Sequence, residues 1–335
     1  MPKSLDDFCI LMLKVYGRPE VIAYDIGRLA RGFVEYFGLS SDPDLMELKL
    51  ILDRHHQMAS IRPGRMGGLS GCHYVDRFKK LNIEYEATNW QGRIEFTIIH
   101  ECYEAIQETF EAMVRGYRAY RDANEPTCMR PFANRFAASV LMQPEVFIPA
   151  LLESGLNIFS LRHRFFMRSY ASVAIRVKEL LKPPAVDGDV DFLIAIYDRQ
   201  SDGEPDQWDL RCCASDFSAS CVVKTPGLAL SRGNRRANYR SYLLPRRLFP
   251  VKGETPAGAF IVDEVIERNR PIYFESVRFD MLDTNHLALL ARPVRWYGRL
   301  AKVILVAVRT KDSHLLQGQT DGLPNLDKRL PVYVS

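Results

Sequence analysis

The sequence predicts an α+β protein of two or three domains, helical in its first half and rich in strands in its second. Apolar residues recur at helical spacing over most of residues 6–60 and 93–182. The stretch Lys182-Pro183-Pro184 is typical of a linker, and short alternating apolar segments typical of strands follow it. At 335 residues the chain also exceeds the usual size of one compact domain.

The composition, 47% hydrophobic and 26% charged residues, is that of a soluble globular protein. No apolar run approaches the roughly 18 residues of a membrane helix, and no cleavage site follows the apolar patch at residues 8–13. Seven scattered cysteines indicate no disulfide framework. We therefore expect a cytoplasmic protein with reduced thiols and no membrane partner. The net charge of +4 is too small to indicate nucleic-acid binding by itself.

The first half of the chain is predicted to be helical, with a short two-stranded insertion. Helices are expected around residues 21–34 and from Leu45 to Met58. Residues 61–71 are rich in glycine and basic side chains, which predicts an exposed loop. Short strands are expected at residues 72–78 and 82–87, where polar and apolar residues alternate.

Three more helical regions follow, at residues 93–119, 131–142 and 145–182, and the last contains a helix-turn-helix-like pair at 156–181. The strands predicted in the second half lie at residues 191–198, 208–214, 218–223, 259–261, 272–276, 287–293 and 302–308. The predicted domains are residues 1–145, a helical unit and linker at 146–184, a strand-rich domain at 185–312 and a tail at 313–335.

The residues with the clearest chemical signal are His100, Glu101 and Glu104. His100 and Glu104 lie four residues apart, so they project from one helical face, with Glu101 one position round. This is the geometry of H-E-x-x-H, a helical motif with two metal ligands and a glutamate as general base. Here a glutamate occupies the second ligand position, and carboxylate oxygen binds zinc at about 2.0–2.2 Å. The sequence therefore predicts His100 and Glu104 as metal ligands and Glu101 as the catalytic base.

The residues around this motif are more specific than the motif itself. Phe96-Thr97-Ile98-Ile99-His100-Glu101 is followed by Ala133-Asn134-Arg135-Phe136-Ala137-Ala138-Ser139-Val140-Leu141-Met142. Together they resemble the ImmA/IrrE family of metallopeptidases, whose pattern is close to R-x-x-F-T-x-x-H-E-x-x-H and then E-x-x-A-N-x-F-A-A-x-L-L-M-P. Arg93 matches the first arginine. The resemblance is specific across about residues 90–145 and looser across about 20–180.

The resemblance implies a zinc-dependent endopeptidase that cleaves a helix-turn-helix transcriptional repressor in a stress or DNA-damage response. It also implies a mainly helical, zincin-like peptidase domain with a small sheet, followed by a GAF-like α+β sensor domain. His100 matches the first ligand, and Glu101 matches the base that deprotonates metal-bound water. The family's third ligand, a glutamate four residues before Asn134, falls on Arg130. Arginine stays cationic and cannot bind a metal.

Two interpretations of this departure remain open. In one, Cys128 replaces the third ligand, because thiolate binds zinc well. In the other, Glu104 and Arg130 form an ion pair in place of two ligands. The chain would then be a catalytically inactive family member, acting as a ligand- or nucleic-acid-responsive sensor or adaptor. His73 has no supporting carboxylate spacing and is not assigned to the site.

A second functional prediction concerns residues 232–252, which hold six arginines and one lysine with interleaved aromatic residues. Positive charge combined with stacking side chains is typical of single-stranded nucleic-acid binding. The residues predicted to bind are Arg235, Arg236, Tyr239, Arg240, Arg246 and Arg247. The alternatives are a solvated basic loop here, or a DNA-binding regulator that uses residues 156–181.

Overall fold

The computed structural model describes residues 3–17, 22, 25–56, 59–77, 80–119, 130–181, 190–200, 212–213, 216–225, 228, 257–277 and 287–316. These residues form helices and two β-sheets, which confirms the predicted α+β class. The chain divides into two compact units. The first comprises Met1–Ala150 and Arg162–Ser172, and the second comprises Leu151–Leu161 and Val173–Ser335. Residues 146–184, predicted as a separate helical unit, are therefore shared between the two.

The helices of the first half begin with capped ends. They are α1 (Leu5–Tyr16), α2 (Ile26–Phe37) and α3 (Leu45–Leu48), which continues as a π-helix (Lys49–His55). The side chain of Ser4 caps α1 by accepting a hydrogen bond from the Asp7 amide, at 3.0 Å. Asp44 caps α3 in the same way, accepting from the Glu47 amide at 2.8 Å. Helical structure was predicted in both places.

A three-stranded sheet follows, formed by β1 (Ala59–Gly64), β2 (Gly71–Val75) and β3 (Leu81–Glu86). The order is β1-β3-β2, with β1 parallel and β2 antiparallel to β3. The prediction of a loop across residues 61–71 was wrong for residues 61–64, which belong to β1. Ala59 and Ile61 alternate as buried residues and pair with β3. Pro63 and Gly64 obscured this signal, although an edge strand tolerates proline.

The next helices are α4 (Gln91–Met113), α5 (Arg130–Leu141), α6 (Pro144–Ser154), α7 (Ile158–Arg164) and α8 (Tyr170–Leu180). Helix α4 is central to the first unit, because it packs against α5 and against β2 and β3. Its Tyr103 lies against Phe136 of α5, with ring centroids 5.3 Å apart, and Phe136 in turn contacts Phe33 of α2 at 5.5 Å. These buried rings hold the helical side of the core together.

The second unit contains a five-stranded antiparallel sheet of order β5-β4-β8-β7-β6. Its elements are β4 (Phe192–Arg199), β5 (Phe217–Lys224), α9 (Ala257–Arg268), β6 (Ile272–Val277), β7 (Leu287–Trp296), β8 (Arg299–Arg309) and a 3-10 helix (Thr310–Leu316). The strand predicted at 259–261 was wrong, because this segment belongs to α9, whose Ile261, Val262 and Val265 are buried at helical spacing.

Two further predictions concern segments only partly covered. Most of the strand predicted at residues 208–214 and the tail beyond residue 316 lie outside the described residues. Within the described part of the chain, no single helix has the length and apolar composition needed to cross a membrane. Only the bent pair Phe132–Leu141 and Pro144–Ser154 meets that test jointly.

A buried ion pair fixes the first turns of α4. Glu95 is fully buried and pairs with the guanidinium of Arg168, which is 4% exposed. The same guanidinium donates to Asp42 at 3.0 Å. Arg168 also donates to the backbone carbonyls of Pro43 and Leu141. The Glu95 carboxylate accepts two further hydrogen bonds, from the Leu45 amide and from the Gln91 side chain. Every charge in the network therefore has partners, as burial requires.

We expect Arg168→Met to destabilise the protein by about 3–5 kcal/mol, because it leaves the Glu95 carboxylate buried without its counter-ion. Chemical denaturation followed by circular dichroism measures the loss. Arg31→Met is the matched control. Arg31 pairs with Glu145 at 2.9 Å, but the two side chains are 59% and 54% exposed, so we expect a loss below about 1 kcal/mol. Equal losses in the two variants would contradict the role given to Arg168.

Candidate metal centre

Four acidic or imidazole side chains lie along one face of α4, namely His100, Glu101, Glu104 and Glu108. His100, Glu104 and Glu108 follow one another at intervals of four residues, and Glu101 lies three residues before Glu104, so all four lie towards one side of the helix. His100 Nε2 lies 3.1 Å from Glu104 Oε1, so the structure brings together the two ligands that the sequence predicts. Glu101 is 7% exposed and lies on the same face.

His73 of β2 completes this cluster from the sheet. Its Nδ1 lies 2.8 Å from Glu101 Oε2 and 3.9 Å from Glu104 Oε2, and its Nε2 lies 3.4 Å from Glu108 Oε2. The side chain of His73 is only 8% exposed. The imidazole therefore faces three carboxylates of α4 from a nearly buried position.

Opposing influences set the pKa of His73. Burial is the largest single influence and would lower it, because burial disfavours the charged imidazolium. The hydrogen bond with Glu101 and the negative charges of Glu108 and Glu101 together outweigh burial, so the pKa of His73 is raised. The pKa of the neighbouring Cys72 thiol is also raised, by burial and by the negative charges of Glu84 and Glu101. Cys72 is therefore a poor thiolate donor at neutral pH.

The donor atoms of His73, Glu101 and Glu104 are grouped closely enough that they could hold a metal ion. They all lie within 4.8 Å of one another. Neighbouring ligands of a tetrahedral zinc ion are separated by about 3.3–3.6 Å, as follows from bond lengths of about 2.0–2.2 Å. The distances from His73 Nδ1 to the two carboxylates, 2.8 and 3.9 Å, bracket that value. One imidazole and two carboxylates are also donors suited to zinc, manganese or iron.

The close approach of β2 to α4 depends on a glycine. A Cβ atom at Gly71 would lie 2.4 Å from Thr97 Cγ2 of α4 and 2.8 Å from the carbonyl oxygen of Glu84 on β3. Arg93 of α4 reinforces the contact, because its guanidinium donates to Ser70 Oγ at 2.7 and 3.2 Å. Gly71 thus lets the strand reach the helix, and His73 follows two residues later on that strand.

Helix α5 orients the other histidine. His100 Nδ1 lies 3.1 Å from Asn134 Oδ1, so the second half of the sequence motif contacts the first. With Nδ1 donating to Asn134, the ring turns its Nε2 towards Glu104. His100 is not one of the three mutually close donors formed by His73, Glu101 and Glu104.

The structure locates only some of the predicted site residues. Cys128 and the predicted nucleic-acid-binding residues lie outside the described part of the chain, and the side chain of Arg130 does too. His73 is the residue that sequence reasoning missed. It precedes His100 by 27 positions on a different element, so no fixed spacing links the two. The sequence did contain a signal for it: His73 lies in a predicted strand, and the helix that follows carries acidic residues at positions 101, 104 and 108.

We expect Gly71→Ala to destabilise the protein by about 1–3 kcal/mol, because the added Cβ must push β2 away from α4. Zinc affinity should fall with it, since His73 moves with the strand; a zinc titration and chemical denaturation measure the two effects. Gly27→Ala is the control, because its Cβ would meet only Asp25 Oδ1, at 3.9 Å. Thr97→Ser added to Gly71→Ala removes one clashing methyl group and should restore part of both losses.

Comparisons with known proteins give the fold but no family. No family model matches the chain, and no curated protein matches it. Among solved structures, the chain is similar to a Mycobacterium tuberculosis transcriptional regulator, with 15% sequence identity and a TM-score of 0.52. The match covers 96% of this chain and 84% of that one. This likeness extends over almost the whole chain and concerns its fold.

Proposed function

We propose that the chain is a zinc-dependent endopeptidase of the ImmA/IrrE type, with a zincin-like first unit and a GAF-like second unit. The observation that carries the proposal is the group of His73, Glu101 and Glu104 around one face of the H-E-x-x-E helix. The residues of this group come from two elements packed against each other, and two of its three side chains are nearly buried. Side chains held in place by packing are better suited to form a binding site than carboxylates on an exposed surface.

The protein residues have distinct tasks in this reaction. His73, Glu101 and Glu104 would hold the metal, and the second oxygen of Glu101 would accept a proton from the attacking water and pass it to the nitrogen of the broken peptide bond. Glu108 accepts the Nε2 proton of His73 and keeps Nδ1 directed to the centre, as outer carboxylates do for metal-binding histidines. The bound metal would polarise the substrate carbonyl and increase the acidity of water.

The proposed substrate is a helix-turn-helix transcriptional repressor, cleaved in a stress or DNA-damage response. This follows from the resemblance of residues 90–145 to the family. The second unit would sense the signal, with single-stranded nucleic acid binding at the basic stretch of residues 232–252. A cytoplasmic location agrees with such a partner.

A second function, a regulator without catalytic activity, is favoured by a different observation. The side chains of the site satisfy one another without a cation, since His73 bridges Glu101 and Glu108 and His100 bridges Glu104 and Asn134. The described contacts of Glu104 include His100 and His73. The similar solved structure is described as a transcriptional regulator, which agrees with this second function.

Metal analysis separates the two functions. If the first is right, purified protein should retain zinc, and His73→Gln and Glu104→Gln should each weaken zinc binding at least about tenfold, because each removes a donor. Elemental analysis by mass spectrometry after dialysis, with a competitive chelator titration, measures this. His55→Gln is the control, since His55 is an exposed histidine at the end of the π-helix. Wild-type protein without affinity for zinc would favour the regulator.

Activity should depend on Glu101. We expect Glu101→Gln to reduce peptide cleavage by about 10²- to 10⁴-fold, the usual contribution of a general base. Mass spectrometry of a peptide library incubated with the zinc-loaded protein measures cleavage. Unchanged cleavage in this variant would show that another group removes the proton.

A further inference from the structure

The hairpin formed by β7 and β8 extends beyond the rest of the sheet in the second unit. Strand β4 pairs with β8 only from Lys302 onwards, and β6 pairs with β7 only as far as Ala291. In the described part of the chain, residues 292–301 therefore pair only with each other and form a ribbon of two strands. Lys302 Nζ lies 2.7 Å from Asp198 Oδ1 and ties the base of this ribbon to the sheet.

The turn that closes the ribbon contains a residue that its geometry does not favour. Tyr297 and Gly298 have φ values of 48° and 78°. Positive φ at both central positions is the requirement of the type I′ turn, in which asparagine and glycine are preferred. A bulky side chain is strained there, and such strain is often found at functional sites. The tyrosine therefore needs an explanation other than the turn itself.

Two aromatic rings project into solvent at this tip. Trp296 is 53% exposed and Tyr297 is 80% exposed, and their ring centroids lie 6.2 Å apart. The guanidinium of Arg295 donates to the carbonyl of Gly298, which fixes the turn from one side. A partner that covers the rings would therefore gain apolar contact at a small cost in ordering the turn.

The charge of the hairpin indicates an anionic partner. From Leu287 to Arg309 it contains four arginines and one lysine, with no aspartate or glutamate. Arg295 and Arg299 flank the turn on its two strands, and neither has a carboxylate partner among the residues that the structure describes. The exposed tip is therefore positively charged without local compensation.

The shape of the hairpin favours a groove over an unpaired strand. Single-strand binders usually stack successive bases on exposed aromatic side chains along a surface. Both faces of this sheet are buried, Ile196 and Ile304 on one side and Tyr197 and Leu305 on the other. The two rings at the tip are also inclined by 47°, so they do not form one flat platform. The major groove of duplex DNA, about 12 Å wide, admits a two-stranded ribbon.

We propose that the β7–β8 hairpin inserts into the major groove of duplex DNA. Arg295 and Arg299 contact phosphates, and Trp296 and Tyr297 lie against base edges and thymine methyl groups. Phosphate contacts dominate the affinity, so binding falls steeply with salt. The inference does not depend on the metal centre or on residues 232–252, and it is compatible with either proposed function.

Fluorescence anisotropy of the full chain with a labelled duplex of about 20 base pairs tests this, with an expected Kd on the order of micromolar at about 50 mM salt. Arg295→Gln combined with Arg299→Gln should weaken binding at least about tenfold. The slope of log K against log salt should fall by about 2, since each phosphate contact contributes about 0.9. Arg28→Gln combined with Arg31→Gln is the matched control, because it removes the same charge from exposed side chains of α2. Its affinity should stay within about twofold of wild type.

Tyr297→Asn separates binding from folding. Asparagine followed by glycine is the preferred type I′ pair, so the midpoint of thermal unfolding, followed by circular dichroism, should stay or rise. Affinity for the duplex should nevertheless fall at least about threefold, because the ring is lost. A lower unfolding midpoint would show that the tyrosine stabilises the fold, which would overturn its role in binding.

The remaining outcomes are equally decisive. Wild-type protein that does not bind the duplex, or unchanged binding in the Arg295 and Arg299 variant, would overturn the hairpin as a DNA-binding element. Tighter binding to the unpaired strand of the same sequence, lost in that variant, would overturn the groove contact in favour of stacking. Zinc binding and peptide cleavage are measured separately, so none of these failures would count against the proposed function.

Discussion

A single buried charge constrains the first unit. Glu95 lies in the second turn of α4 with no exposed surface, and a lone carboxylate there would cost several kcal/mol of solvation. Arg168 provides the counter-charge and also binds Asp42, so three distant parts of the chain meet at one point. The start of α4 is thereby fixed against the loop before α3. Because the candidate metal-binding side chains begin only five residues after Glu95, their placement depends on this ion pair.

The candidate site then arises from two neighbouring surfaces of opposite chemical character. Helix α4 presents a row of carboxylates, and β2 presents an imidazole to that row. Neither surface is a complete site, since carboxylates on one helix face repel each other and a lone strand histidine binds little. Gly71 makes the combination possible, because a glycine lets the two backbones approach. Glu104 therefore lies near two imidazoles, that of His100 on its own helix and that of His73 from the sheet.

Local patterns predicted most of the helices and the position of His100 and Glu104 on one helical face, because spacing along one helix determines which side chains share a face. The sequence-based predictions failed where contacts between residues distant in the chain determine the structure. Residues 59–64 pair with a strand more than twenty residues later, and residues 259–261 are a short apolar run that fits a strand or a helix. His73 was missed for the same reason, since only the packing of β2 on α4 places it among the carboxylates. The network around Arg168 has no local signal, because its partners lie 73 and 126 residues away.

The separation between Asp42 and Arg168 has a consequence for synthesis on the ribosome. The first unit consists of two segments, and Leu151–Leu161 between them belongs to the second unit. A growing chain that has emerged only as far as α5 holds the whole H-E-x-x-E helix but lacks the cation for Glu95. The loop between Asp42 and Arg168 costs little more entropy to close than a shorter loop would. The contact is therefore delayed mainly because Arg168 is synthesised later than Asp42 and Glu95. The first unit therefore reaches its final packing only after part of the second unit has been made.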